Sequence, residues 1–273
     1  MKWNATQFGQ RVVTALLFGT ALLVPLFAGK ITGLIILGLL SLLTTLEYLQ
    51  LQGLKSWRLW IATFLSLLMY IALTVLVLSK GLGDPILYAT YLALAFCAVL
   101  LYRLYKRQDP FVFTFQVLPA TLYIAIPIAL LFAVANWGDN YQPVWVLAIL
   151  LFVWINDVLA YLIGRKYGKK PFSRFISPNK TWEGTLAGWF GCILMALILN
   201  QYLGMMTRWE WICLGLIIGV TSSIGDLIES LFKRRKGIKD SGTFLPGHGG
   251  LLDRIDSLLF SMPFIALFFS FYL

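Results

Sequence analysis

Charge is scarce in this 273-residue chain: Asp, Glu, Lys and Arg together make up 12% of it, where a soluble domain carries about 25%. With 59% apolar residues and a mean hydropathy of +0.81, that shortage excludes an ordinary globular fold and a disordered chain. The ~10-residue alternating segments of a membrane β-barrel are also missing. Cysteine occurs only at Cys97, Cys192 and Cys213, each inside an apolar run and none in CxxC spacing, so no zinc or redox site is built from them. Histidine occurs once, at His248, with no Ser or Cys nucleophile paired to it. There is no GxxxxGK[ST] run and no GxGxxG after a strand, which removes the common nucleotide-binding loops.

What remains is solid apolar sequence, recurring at the ~20-residue length that crosses about 30 Å of hydrocarbon. The expected fold is all-α: a polytopic integral membrane protein forming a single transmembrane domain over residues 1–273. About nine spans are centred on 12–28, 31–49, 59–79, 86–102, 111–135, 144–164, 185–204, 210–228 and 251–271. Lys2 and Arg11 precede the first run, and without a small-x-small cleavage pattern it is expected to be retained. Pro25, Pro119 and Pro127 fall within spans and are expected to kink them. Two connections are long and charged, 165–184 and 229–250.

Lys and Arg set the orientation. With the N-terminus cytoplasmic and the C-terminus on the opposite side, 19 of the 22 basic residues face the cytoplasm. The net charge of +10 then lies largely on one membrane face, where most of it answers anionic headgroups.

Acids are fewer, and they cluster. Of twelve, five fall in one 31-residue window: Asp226, Glu229, Asp240, Asp253 and Asp256. An ionisable group against hydrocarbon needs a partner, so several together call for cations, metal or water. Asp253 and Asp256 share a helix face, and Asp226 reaches the same cytoplasmic end from the preceding span. Three convergent carboxylates suit Mg²⁺, which takes one or two carboxylates, retained waters and phosphate oxygens. Taken alone, Asp253 would only complement a helix N-terminus. Asp157 and Tyr161 share a face at the same end, and Glu47 reads as an interhelical hydrogen-bonding anchor, outside the site.

The two charged loops supply the counter-charge. After Lys233, Arg234, Lys239 and Asp240 come His248, Gly249 and Gly250, a glycine-rich approach to a helix N-terminus that is the make-up of an anion site. In the other loop, Ser177 and Pro178 read as the N-cap and first turn of a short interfacial helix with Trp182 at the headgroups. Lys180, Arg174 and the Arg165, Lys166, Lys169 and Lys170 group would there meet lipid phosphates, or the phosphate of a substrate.

The run Ser230-x-Phe232-Lys233-Arg234-x4-Lys239-Asp240-x-Gly242-x2-Leu245-Pro246-x-His248-Gly249-Gly250-Leu251-x-Asp253-Arg254-Ile255-Asp256 resembles, over all 27 positions, the signature of the phosphatidate cytidylyltransferases, or CDP-diacylglycerol synthases. Ser177-Pro178-x-Lys180-Thr181-x-Glu183-Gly184 resembles a second block of that family. The resemblance implies that CTP and phosphatidic acid give CDP-diacylglycerol and pyrophosphate in phospholipid biosynthesis. It also implies dependence on Mg²⁺, in a two-metal arrangement, with Asp226, Asp253 and Asp256 as ligands and a homodimer as the assembly. The expected partners are CTP, phosphatidic acid, membrane lipid and a second copy of the chain, and no nucleic acid. The expected location is the cell (inner or plasma) membrane, multi-pass, with the site facing the cytoplasm.

The phosphate oxygen of phosphatidic acid is already anionic at neutral pH, so no strong base is needed; the barrier lies in bringing two anions together. Lys233 is therefore placed with the three aspartates as catalytic. Lys180, Arg234, Lys239, Asp240, His248, Gly249, Gly250, Arg254, Asp157, Ser177 and Asn179 are candidates for substrate binding, Lys180 near the lipid phosphate. Two rivals are weaker, and a lipid kinase using a nucleoside triphosphate stays open on chemistry alone. A CDP-alcohol phosphotransferase needs a Gly and an Ala-Arg after its first acids, and Asp256 is followed by Ser257-Leu258-Leu259. An ion or solute transporter with a cytoplasmic-side acidic site predicts polar groups continuing through the bilayer, yet the last span is nearly all apolar beyond Ser257.

The orientation has a direct check. Cysteines introduced at 138 and 236 should react with an impermeant thiol reagent from opposite sides of sealed vesicles; labelling of both from the same side would overturn the odd number of spans between the two termini.

Overall fold

Apolar runs closed by charged or turn residues fold as helices close to where hydropathy places them. The computed structural model describes residues 5–80, 84–109, 116–138, 140–238, 241–242 and 249–271. Four helices come first: α1 (Ala5–Ala28), α2 (Lys30–Leu51), α3 (Ser56–Lys80) and α4 (Asp84–Tyr105). Next, α5 (Val117–Pro119), a π-helical stretch (Ala120–Ala125) and α6 (Ile126–Ala135) make one continuous span. After α7 (Val144–Tyr167) the chain forms strands β1 (Pro171–Ser173) and β2 (Ser177–Thr181), then α8 (Trp182–Leu203), α9 (Arg208–Lys236) and α10 (Leu252–Ser270).

Among the described residues, seven helical segments are long and apolar enough to cross a membrane. In α1 the described residues include the apolar segment Leu16–Ala28, and α10 opens on Asp253, Arg254 and Asp256 before turning apolar. The protein is thus an all-α, polytopic membrane protein carrying a two-stranded hairpin. Pro119 and Pro127 bracket the π stretch, where Ser66 of α3 donates to the Ala120 carbonyl at 3.2 Å, so a neighbouring helix serves the irregular backbone.

Two local expectations are corrected. The segment after Ser177 is not a helix: Ser177–Thr181 is a strand antiparallel to β1, pairing Pro171 with Thr181 and Ser173 with Ser177. The cap is Thr181 instead, whose hydroxyl accepts from the Gly184 amide at 3.3 Å, so α8 starts at Trp182. Nor does a loop begin at 229. At 1.5 Å per residue the 29 residues of α9 measure about 44 Å, more than the hydrocarbon thickness, so the helix carries Lys233, Arg234, Arg235 and Lys236 out in its last turn. Basic side chains there complement the helix dipole, and Gly237, at φ +68°, stops the helix in the left-handed conformation that a side chain resists.

All ten residues of α6 are buried, between α2, α3, α4 and α10. Helices α7, α8 and α9 pack on one another, and α10 lies against both α9 and α6, joining the two groups. Lipid supplies no hydrophobic force between helices, so close approach through small residues does the work. Gly188 and Gly191 of α8 face α7, Gly215 and Gly219 of α9 face α8, and Gly225 faces the α10 backbone at Asp256. Polar side chains tie the same seams: Asn156 Nδ2 donates to Ser222 Oγ at 3.2 Å, and Thr221 Oγ1 to Ser261 Oγ at 2.9 Å.

A Cβ at Gly188 would lie 2.5 Å from Asn156 Oδ1 and 2.8 Å from the Asn156 carbonyl, whereas one at Gly19 would meet nothing within 4 Å. Gly188→Ala should therefore destabilise the protein by about 1–3 kcal/mol. Gly19→Ala should leave the thermal midpoint in detergent unchanged or slightly raised, and equal midpoints for the two variants would contradict the packing.

Candidate active site

The ends of α7, α9 and α10 and the β-hairpin enclose a cavity of about 670 Å³. Helical spacing brings its groups together: Asp226, Glu229 and Lys233 lie on one face of α9, and Asp253 and Asp256 on one face of α10. Asp157 and Tyr161 line it from α7, and Asn179 and Lys180 from β2. The close glycine contact of α9 with α10 at Gly225 lies one residue from Asp226 and sets the approach of the two acidic faces.

The hairpin is positioned by the rest of its sequence block. Glu183 accepts from the amides of Lys169 and Lys170 at 3.1 and 3.2 Å, pinning the start of the turn. Gly184 lets α8 close on α7, since a Cβ there would lie 2.5 Å from the Ala160 carbonyl. With Thr181 as cap, these residues leave Lys180 directed into the cavity, where it forms an ion pair with Asp226. Phe172 stacks edge-on against Trp182 at 4.6 Å, and Ile176 packs on Leu227 and Leu231 of α9.

A second cation sits deeper. Lys233 Nζ lies 2.6 Å from Glu229 Oε2 and 2.9 Å from Asp253 Oδ1, bridging α9 and α10. The other oxygen of Asp253 accepts from the amides of Ser241 and Gly250, both at 2.9 Å. Glu47 of α2 accepts from Leu251 at 2.7 Å and from Leu252 at 3.1 Å, and bonds the Ser241 hydroxyl. The amides of Gly250, Leu251 and Leu252, where the chain enters α10, are thus taken by the protein's own carboxylates. Glu47 and Asp253 hold these amides of the glycine-rich approach where an anion is expected, and the Lys239, Asp240 and His248 part of that approach lies outside the described residues.

Asp226, Glu229 and Asp256 each offer an oxygen within 4.8 Å of the others'. Asp256 and Glu229 are buried, and Glu229 Oε1 has no hydrogen-bond partner among the described residues. Hard oxygen donors, clustered, with one buried acceptor unanswered, fit a divalent cation. Asp253, expected as the third member with Asp226 and Asp256, lies in the same cavity with its oxygens on Lys233 and two amides. Glu229 falls in the acid-rich window of the sequence but carries no signal separating it from Lys233, four residues on, with which a helix pairs it by default.

Of the other candidates, Asp157, Asn179, Lys180 and Arg254 line the cavity. Ser177, Arg234, Gly249 and Gly250 are not among its lining residues: Arg234 is exposed in the last turn of α9, and Gly249 and Gly250 lead into α10. Lys239, Asp240 and His248 lie outside the described residues. Glu47, read as an interhelical anchor, bonds the start of α10 from α2.

The sequence model of the Cytidylyltransferase family matches residues 9–272. The phosphatidate cytidylyltransferase of Staphylococcus aureus (strain COL) is 32% identical over 260 residues, covering 93% of this chain and 96% of the relative. That of Staphylococcus epidermidis (strain ATCC 35984) is 31% identical over 262 residues, with the same coverage of 93% and 96%. That of Staphylococcus haemolyticus (strain JCSC1435) is 30% identical over 259 residues, again covering 93% and 96%.

Removing the cation between two buried carboxylates should be costly. Lys233→Met is expected to destabilise the protein by about 3–5 kcal/mol, read as a lower thermal midpoint, and a second change, Glu229→Gln, should recover part of the loss. A Lys233→Met midpoint equal to wild type would mean that the bridge is not formed.

Proposed function

The chain belongs to the cytidylyltransferase family, and from that premise we propose that it transfers CMP from CTP to phosphatidic acid, giving CDP-diacylglycerol and pyrophosphate. The observation that carries this reading is the cavity itself: acids and cations alternate around a space at the ends of membrane helices, where a water-soluble triphosphate and a lipid phosphate can meet. An oxygen of the lipid phosphate attacks the α-phosphorus of CTP, a new P–O bond forms, and the bond to the bridging oxygen breaks to release pyrophosphate. Since the nucleophile is anionic already, the protein's task is to position the reactants and offset charge.

Lys180, Lys233 and Arg254 line the cavity and neutralise phosphate oxygens. Lys233 is held in place from two sides by Glu229 and Asp253, and so meets the triphosphate without reorganising. A divalent metal, Mg²⁺ in this reading and in a two-metal arrangement, would be held by Asp226, Glu229 and Asp256 with Asp253 beside them, and would supply Lewis-acid stabilisation of the transferring phosphoryl group. Asp157, Asn179 and Tyr161 line the same cavity beside these groups. The basic residues that crowd one face favour an N-terminus and a site on the cytoplasmic side of the cell membrane, with nine spans and a C-terminus opposite. A homodimer belongs to the same reading.

Purified protein in liposomes, given CTP, phosphatidic acid and Mg²⁺, should release pyrophosphate and CDP-lipid in equal amounts, and chelation should stop both. Asp253→Asn and Asp256→Asn should each lower turnover by about a hundredfold or more while the protein stays folded. No product from wild type with any nucleotide would overturn the reaction, and wild-type turnover in either variant would remove that residue from the site.

A further inference from the structure

Glu47 does not line the cavity, yet its carboxylate is tied to the segment that organises it. It belongs to α2, 194 residues before Ser241 and 204 before Leu251. One oxygen accepts from the Leu251 amide at 2.7 Å; the other accepts from Leu252 at 3.1 Å and bonds the hydroxyl of the buried Ser241. Two glycines are moulded to it. A Cβ at Gly250 would run into Glu47 Oε1 and Ser241 Oγ, and one at Gly242 would sit 3.1 Å from Glu47 Cδ.

Ser241 is held twice, through its hydroxyl by Glu47 and through its backbone amide by Asp253 Oδ2 at 2.9 Å. Gly250, next to the amides that Glu47 binds, donates to that same Asp253 oxygen at 2.9 Å. Asp253 is left with Oδ1 for Lys233. Glu47 therefore fixes both chain segments that hold Asp253, and Asp253 in turn holds the cation that reaches the cavity.

We infer that Glu47 is a positioning residue of the reaction: acting through Ser241, the first amides of α10 and Asp253, it sets the place of Lys233 against the triphosphate. The inference rests on the CTP-dependent reading above. Partners standing behind a functional group in this way characteristically change its affinity or activity about 10–100-fold when altered.

The test separates positioning from folding. Glu47→Gln keeps one acceptor oxygen but turns an NH₂ toward backbone donors. It should raise KM for CTP about tenfold or more and leave KM for phosphatidic acid unchanged. A purely structural role would reduce the amount of active protein and leave both KM values alone, and that result would overturn the inference. Ser241→Ala, a milder change on the same route, should raise KM for CTP in the same direction, and adding it to Glu47→Gln should add little further. Independent effects of the two would break the proposed route. CTP-induced thermal stabilisation of the same variants gives an arm without turnover. If wild type is stabilised by CTP but makes no CDP-lipid, the reaction falls, while a weaker CTP effect in Glu47→Gln still supports the positioning role. If Glu47→Gln is stabilised by CTP as strongly as wild type, the inference fails with the reaction untouched.

Discussion

Charge set at the edge of hydrocarbon has no water to fall back on, so each ionised group must find an opposite charge or a backbone dipole within hydrogen-bond reach. The relay Glu229–Lys233–Asp253 is how this protein meets that constraint. Lys233 is shared by carboxylates on two helices, and Asp253 divides its oxygens between that cation and two amides. Glu47 then answers the remaining amides at the start of α10. Four segments distant in sequence are held together because none of these groups can be left alone.

The close approach that makes such short contacts possible comes from residues without side chains. Gly225 brings α9 against α10 beside Asp226, while Gly184 and Gly188 bring α8 against α7 beside Asn156 and Asp157. Where helices would otherwise stand 8–10 Å apart, small residues allow tighter crossings, and interhelical bonds such as Asn156 to Ser222 hold them. Apolar packing and the polar site are thus linked at the same crossings: an added methyl group at Gly188 would press on the residue that hydrogen-bonds Asp157.

The cavity is acidic and basic at once, and its two lysines are engaged by its acids: Lys180 with Asp226, Lys233 with Glu229 and Asp253. On the CTP-dependent reading, an arriving polyphosphate would draw Lys180 from Asp226, whose carboxylate would then suit a divalent cation, while Lys233 stays bridged between Glu229 and Asp253.

Composition and periodicity alone determined the membrane class and the helices, because a ~20-residue apolar run has few other ways to satisfy its backbone. Helices α2, α3, α7 and α8 begin and end within about three residues of their expected spans. The acid-rich window and the Lys180 block, legible because ionisable groups are so rare here that their clustering is itself a signal, contain about half of the residues that line the cavity. Local conformation was less legible. Ser177 and Pro178 carry the signs of a helix start, yet Thr181 takes the cap because the hairpin with β1 fixes the chain there. Glycines before α10 suggested open amides, and only the folded chain shows Glu47 and Asp253 occupying them. Spacing along one helix can be read from sequence; which residue of a distant helix arrives at a given amide is decided by packing, and so the roles of Glu47 and Glu229 belong to the tertiary structure.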